Sequence, residues 1–134
     1  MAAYQLEIVT PSGTVYSGSV ESLQAPGSLG SFGVLSRHAP MIAGMKTGRL
    51  AFTEEGAGEA RAMACSGGFV EVLGDRVTVL AEAAEFGDGI DVARAEAARE
   101  RARRRLAREG DVDRVRAEAA LARALTRIRL AGEA

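Results

Sequence analysis

Tyr4, Leu6 and Ile8 alternate with Gln5, Glu7 and Val9, the period of a strand with one buried face, and Pro11-Ser12-Gly13 then supplies a turn. The pattern recurs in short pieces. Residues 15–17, 20–25, 32–35, 50–53, 61–65, 69–73 and 76–81 are predicted strands, separated by Gly, Ser, Pro or Asp clusters. Gly74-Asp75 is a two-residue connection of the kind that closes a tight hairpin, because glycine reaches positive φ without a steric cost. Many short, closely spaced strands point to a β-sandwich or a barrel.

The period changes near Asp91. From there to Glu109 every residue except β-branched Val92 is a reasonable helix former, and Ala95, Ala98, Ala102 and Leu106 fall on one face. Gly110-Asp111-Val112-Asp113 interrupts the pattern, with glycine as a C-terminal cap and an aspartate as the next N-cap. A second helix then runs to about residue 130, with Ala117, Leu121, Ala124 and Ile128 on one stripe. So short a connection folds the two helices into an antiparallel hairpin. The fold class is therefore α+β, with a β domain over residues 1–88 and a helical hairpin over 89–134.

The seam of that hairpin is mostly alanine. Burying a leucine contributes about 1.5–3 kcal/mol, whereas an alanine methyl contributes less than ~1 kcal/mol. The helices are rich in strong helix formers, so each partly persists without its mate. Such a hairpin opens or swings at small cost to the rest of the fold and reads as a switch element.

Charge divides at the same boundary. Residues 1–89 hold 5 Lys/Arg against 10 Asp/Glu, and residues 90–134 hold 12 Arg against 8 Asp/Glu, although the whole chain carries only −1. The helical part therefore suits an acidic partner. No run of about 18 apolar residues is present and the first residues lack a signal-peptide pattern, so the expectation is a cytosolic chain.

Catalytic material is sparse. Cys65 is the only cysteine and His38 the only histidine, too few soft ligands for a zinc site, and Cys65 reads as a buried, inert thiol. His38, within Ser36-Arg37-His38-Ala39-Pro40, has no nucleophile signature beside it and reads as a turn residue. The glycine-rich stretch 27–33 lacks the spacing that cradles phosphates and reads as turns. No metal or redox cofactor is expected.

Several segments together carry a family likeness: Leu6-Glu7-Ile8-Val9-Thr10-Pro11-Ser12-Gly13, Arg37-His38-Ala39-Pro40, Ser66-Gly67-Gly68-Phe69-Val70-Glu71-Val72, Val77-Thr78-Val79-Leu80-Ala81, and Ile90-Asp91-Val92-Ala93-Arg94-Ala95 opening the hairpin. In order and spacing the chain resembles the epsilon subunits of F-type rotary ATP synthases. The resemblance implies a sandwich of about ten strands, bound to the gamma subunit and to the membrane c-ring. It implies a non-catalytic rotor part in the central stalk that couples proton transport to ATP synthesis. The compact chain, rich in Ala and Arg and without a transit-peptide pattern, leads us to expect a bacterial source, which would place it peripherally on the cytoplasmic face of the plasma membrane, through the complex alone. Residues 27–39 match the family's ring-facing loops, with Leu29 and Ser31 where acidic residues are common, and His38 close by.

In the family the hairpin lies against the sandwich or extends along gamma to block hydrolysis in the alpha and beta subunits. Arg99, Arg101, Arg103, Arg104, Arg105 and Arg108 would then be drawn to an acidic loop of beta, in a salt-sensitive way. The alternative is a solvated helix face on which Glu96 and Glu100 pair with these arginines.

The Ile-Asp-x-x-Arg-Ala motif belongs, in some bacterial members, to a site where ATP holds the hairpin down. The resemblance therefore assigns Glu85, Ile90, Asp91, Arg94 and Ala95 to such a site, with Glu85 and Asp91 at the adenosine end. With the hairpin turning near residue 111, Arg94 falls opposite Ile128 and Arg101 opposite Leu121, beside Arg123 and Arg127. The four arginines would converge on a triphosphate. Asp91 also reads as an N-cap, and both roles are compatible. No cofactor is required, and ATP is expected only as a regulatory ligand. Nucleic-acid binding is the rival reading, since an arginine-rich helix tracks phosphates. The slightly acidic chain, with two Tyr, four Phe and no recognised nucleic-acid motif, argues against it.

Overall fold

The computed structural model describes residues 2–36, 38–108 and 113–133. Nine strands precede two helices among these residues: β1 (Tyr4–Thr10), β2 (Gly13–Gly27), β3 (Gly30–Leu35), β4 (Met41–Met45), β5 (Gly48–Glu54), β6 (Ala60–Ser66), β7 (Gly68–Leu73), β8 (Arg76–Leu80), β9 (Ala83–Phe86), α1 (Val92–Ala107) and α2 (Arg114–Glu133). A single 3-10 turn, Gly87–Gly89, joins β9 to the helices.

The 15-residue β2 serves both layers of a β-sandwich. Its first half pairs antiparallel with β1, Tyr4 opposite Val20 and Ile8 opposite Tyr16. Its second half pairs with β5, Leu23 opposite Phe52, and with β3, Leu23 opposite Val34. The register against β5 shifts between Val20 and Ser22, where the strand crosses from one layer to the other. One layer continues from β1 through parallel β8 to β7 and β4, and the other from β5 through β6 to β9. Leu6, Ile8, Val20, Leu23, Leu50, Phe52, Met63, Val70 and Val79 fill the space between them.

Two turns depend on glycine. Gly74 sits at φ +62° in the two-residue link between β7 and β8. Gly68, at φ +113°, lies so close to the end of β8 that a Cβ there would collide with the Leu80 carbonyl.

The expected strands at 15–17 and 20–25 are one strand. Gly18 and Ser19 read as a break, but both stay extended because β1 pairs with them, Leu6 opposite Gly18 and Gln5 opposite Ser19. β4 and β9 are additional. Met41-Ile42-Ala43-Gly44-Met45 and Ala83-Ala84-Glu85-Phe86 show little alternation, and pairing with β7 and β6 decides their conformation.

α1 begins on Asp91, whose Oδ1 accepts the Arg94 amide N–H at 3.1 Å, and ends at Ala107 rather than Glu109. Asp113 caps α2 in the same way, accepting from the Arg116 amide at 3.0 Å. The expected glycine cap at Gly110 lies outside the described residues. The helices meet through buried Ala95, Ala102, Ala117 and Ala124. α1 packs chiefly on α2, and α2 is the helix that meets β5, β6 and the 3-10 turn. That junction is a small satellite core of Ala64, Ile90 and Leu130, flanked by Ala62 and Ala131 and separate from the core of the sandwich.

Candidate functional site

The bend from β9 through the 3-10 turn into α1 brings a strand end, a helix start and α2 to one point. A cleft of about 360 Å³ opens there, lined by Glu85, Gly89, Ile90, Asp91, Arg94, Ala95, Ala98, Arg101 and Arg127. Ile90 is nearly buried and anchors the turn, its N–H donating to the Gly87 carbonyl at 3.3 Å. Asp91 fixes the first turn of α1 and so directs Arg94 to the cleft. Ala95 and Ala98 lie on the same helix stretch, and their small side chains leave room between Arg94 and Arg101.

Arg127 of α2 donates from Nε to Glu85 Oε1 at 2.8 Å, tying hairpin to sandwich across the cleft. Arg94 and Arg101 form no ion pair among the described residues, which leaves two guanidinium groups open to an incoming anion. Guanidinium stays charged at all ordinary pH and binds phosphate oxygens through two parallel N–H donors. The cleft volume lies within the range of small-molecule sites, about 300–1,000 Å³.

The residues expected at an ATP site therefore gather at one cleft, with one exception. Glu85, Ile90, Asp91, Arg94, Ala95, Arg101 and Arg127 line it, whereas Arg123, one turn before Arg127 and half-buried, does not. Gly89 and Ala98 were not foreseen. Ala98 was legible as the residue between Arg94 and Arg101 on their shared face.

The expected partner contacts are scattered. Leu29, in the β2–β3 turn, is fully exposed. Ser31 is exposed and donates from Oγ to the Ala25 carbonyl at 3.3 Å, and His38 Nδ1 lies 2.8 Å from the Ala39 carbonyl. On α1, Arg101, Arg103, Arg104 and Arg105 are exposed and Arg99 is half-buried, and Arg108, just past the end of the helix, is exposed too. Glu100 approaches both Arg99 and Arg103 at 3.6 Å, while Arg99 Nε is buried without a hydrogen-bond partner. Consecutive helical positions are about 100° apart, so Arg103, Arg104 and Arg105 ring the helix rather than forming one face.

A second concavity escaped the sequence reading. The outer face of the β1–β8–β7–β4 layer aligns Val9, Leu80, Phe69 and Gly44 across four strands. Together with Pro11 and Ser28 they line a depression of about 690 Å³. Phe69, Leu80, Ile42 and Leu73 are all exposed on this layer, an apolar patch of the kind that marks a docking face. The outward alternation of Phe69 and Leu73 was visible in the sequence, but the strand neighbours that make it a patch were not.

Cys65 is buried, and burial pushes its thiol from 9.0 up to about 12, so little thiolate forms near neutrality. Among the described residues, no group of three or more His, Cys, Asp or Glu is placed to hold a metal ion. No helix among them is long and apolar enough to cross a membrane.

Sandwich, docked hairpin and arginine cleft define the class: a small two-part protein with a β domain and a helical appendage. The family model "ATP synthase, Delta/Epsilon chain, beta-sandwich domain" matches residues 3–87, and "ATP synthase, Delta/Epsilon chain, long alpha-helix domain" matches residues 88–132. The chain belongs to this ATP synthase delta/epsilon family, as an epsilon-type member. It is 44% identical over 133 residues to an ATP synthase epsilon chain of Bacillus pumilus, covering 99% of this chain and 100% of that one. It is 49% identical over 129 residues to the epsilon chain of Syntrophobacter fumaroxidans, covering 95% and 94%. A solved structure of Euglena gracilis mitochondrial ATP synthase, OSCP/F1/c-ring, contains a chain of the same fold, with TM-score 0.83 and 22% identity over 100% of this chain and 83% of that chain.

Proposed function

We propose that the chain is a non-catalytic rotor subunit of a bacterial F-type ATP synthase, whose hairpin regulates ATP hydrolysis and is held down by ATP in the arginine cleft. The observation that carries this reading is the place of the cleft, at the hinge between hairpin and sandwich. Its walls come from both parts, Glu85 from β9 and Arg94, Arg101 and Arg127 from the helices. A ligand needing both walls binds only the docked hairpin and stabilises it by mass action. A triphosphate would take Arg94, Arg101 and Arg127, with the nucleoside toward Glu85, Ile90 and Asp91. Arg127 would then exchange part of its contact with Glu85 for phosphate oxygens.

The sandwich supplies the attachment. The apolar depression around Phe69 and Leu80 suits the gamma subunit, and exposed Leu29 with Ser31 and His38 suits the c-ring. The arginines of α1 suit an acidic surface on the catalytic alpha and beta subunits once the hairpin extends. The complex thereby sits at the cytoplasmic face of the plasma membrane, with this chain peripheral.

Hydrogen exchange of the full chain with and without millimolar ATP tests the ligand. Slower exchange in α1 and α2, lost in Arg94→Ala, is expected. Identical exchange with and without ATP would remove ATP from the account while leaving the rotor assignment in place.

A further inference from the structure

We propose a second oxyanion site, separate from the arginine cleft, in the groove where the start of β5 meets the last turns of α2. The groove has a volume of about 410 Å³ and presents Lys46, Thr47 and Arg49 from the sandwich and Arg129 from the hairpin. No carboxylate lines it, and it shares no lining residue with the arginine cleft. Lys46 and Arg129 enter no ion pair among the described residues. Arg49 gives its Nε to Glu133, at 2.9 and 3.2 Å from the two carboxylate oxygens. Its terminal nitrogens have no hydrogen-bond partner among the described residues.

Three cations thus line one groove, and of the three only Arg49 is paired with a carboxylate. Like charges gathered in this way repel, and a bound anion relieves the repulsion. The neutral groups divide by donor capacity. Thr126 and Ser31 spend their hydroxyl protons on the Ala122 and Ala25 carbonyls, whereas the Thr47 hydroxyl and the Gln24 amide enter no hydrogen bond among the described residues and remain available as donors. Cations with nearby neutral donors suit a tetrahedral oxyanion, inorganic phosphate or the phosphate end of a larger molecule. Because Lys46 and Arg129 lie on opposite parts of the chain, the site is complete only while the hairpin is docked. Phosphate therefore slows hairpin release, independently of ATP.

Titration of the full-length chain with inorganic phosphate at constant ionic strength, followed by amide resonances and hydrogen exchange, tests this. Saturable shifts at Thr47, Gly48 and Arg129 are expected, with slower exchange in the last turn of α2. Lys46→Ala and Arg129→Ala should each weaken binding by about tenfold, the loss of one charged hydrogen-bond partner. Arg94→Ala, in the other cleft, should leave it unchanged, so failure of the ATP reading does not carry over. Vesicles containing phosphatidic acid, run in parallel against phosphatidylcholine, distinguish a lipid headgroup from free phosphate. Shifts that fail to saturate, that chloride reproduces, or that survive both substitutions would overturn the site.

Discussion

Leu130→Ala should undock the hairpin without unfolding the sandwich. Leu130 is 1% exposed, and the rest of its satellite core is Ala64, Ile90, Ala62 and Ala131, so it is the largest apolar side chain that α2 contributes to that core. Truncation removes three carbons, worth about 2.4 kcal/mol at roughly 0.8 kcal/mol each. Leu→Ala in a closed core costs about 2–5 kcal/mol, and a junction at the rim collapses more readily, which favours the lower end. A loss of about 2 kcal/mol shifts the docked-to-undocked ratio roughly 30-fold. The ion pairs across the junction hold less. Arg49 and Glu133 side chains are 33% and 38% exposed, and a pair in that setting contributes about 0–1 kcal/mol. The assay is amide exchange in α2 and at Ile90, compared with Val79 in the main core. Faster exchange confined to the hairpin and its dock is expected. If Val79 accelerates equally, the two cores are one cooperative unit and the reasoning fails; if nothing accelerates, Leu130 is not the anchor.

Gly68→Ala should destabilise the sandwich by about 1–3 kcal/mol, read as a lowered melting temperature, because φ +113° and the Leu80 carbonyl both oppose a side chain. Asp91→Ala should cost the first turn of α1 about 1 kcal/mol, visible as faster exchange of the Arg94 amide. For Cys65, both folded and unfolded thiols are protonated below pH 9.0, and between 9.0 and about 12 only the unfolded chain loses the proton. Stability should therefore fall as pH rises through that window, and denaturant melts of Cys65→Ala should show a shallower fall. Tyr4, whose phenol burial also pushes upward, adds to the decline at the alkaline end in both proteins.

The strands with clean alternation were legible because one face of each packs into the main core, as Leu6 and Ile8 do. β4 and β9 were not, since their alanines and glycine carry little pattern and only neighbours in the sheet hold them extended. The hairpin stripe was readable in part: Ala95, Ala102, Ala117 and Ala124 are buried at the expected spacing, whereas Ala98, Leu106, Leu121 and Ile128 are only half-buried. The docking of α2 was not, because Leu130 sits at the end of the helix and its partners, Ala64 and Ile90, are distant in sequence. The cleft followed from the likeness to a family, while its floor at Ala98 and the exclusion of Arg123 required the helix packing. The phosphate groove escaped entirely, since Lys46 and Arg129 meet only through that same docking.

ATP hydrolysis by a reconstituted alpha-beta-gamma assembly, with the full chain and with a chain ending after Asp88, tests the division of labour most directly. Both forms should bind the assembly, and only the full chain should inhibit. Equal inhibition by both would place the brake in the sandwich, and failure of either to bind would contradict the rotor role itself.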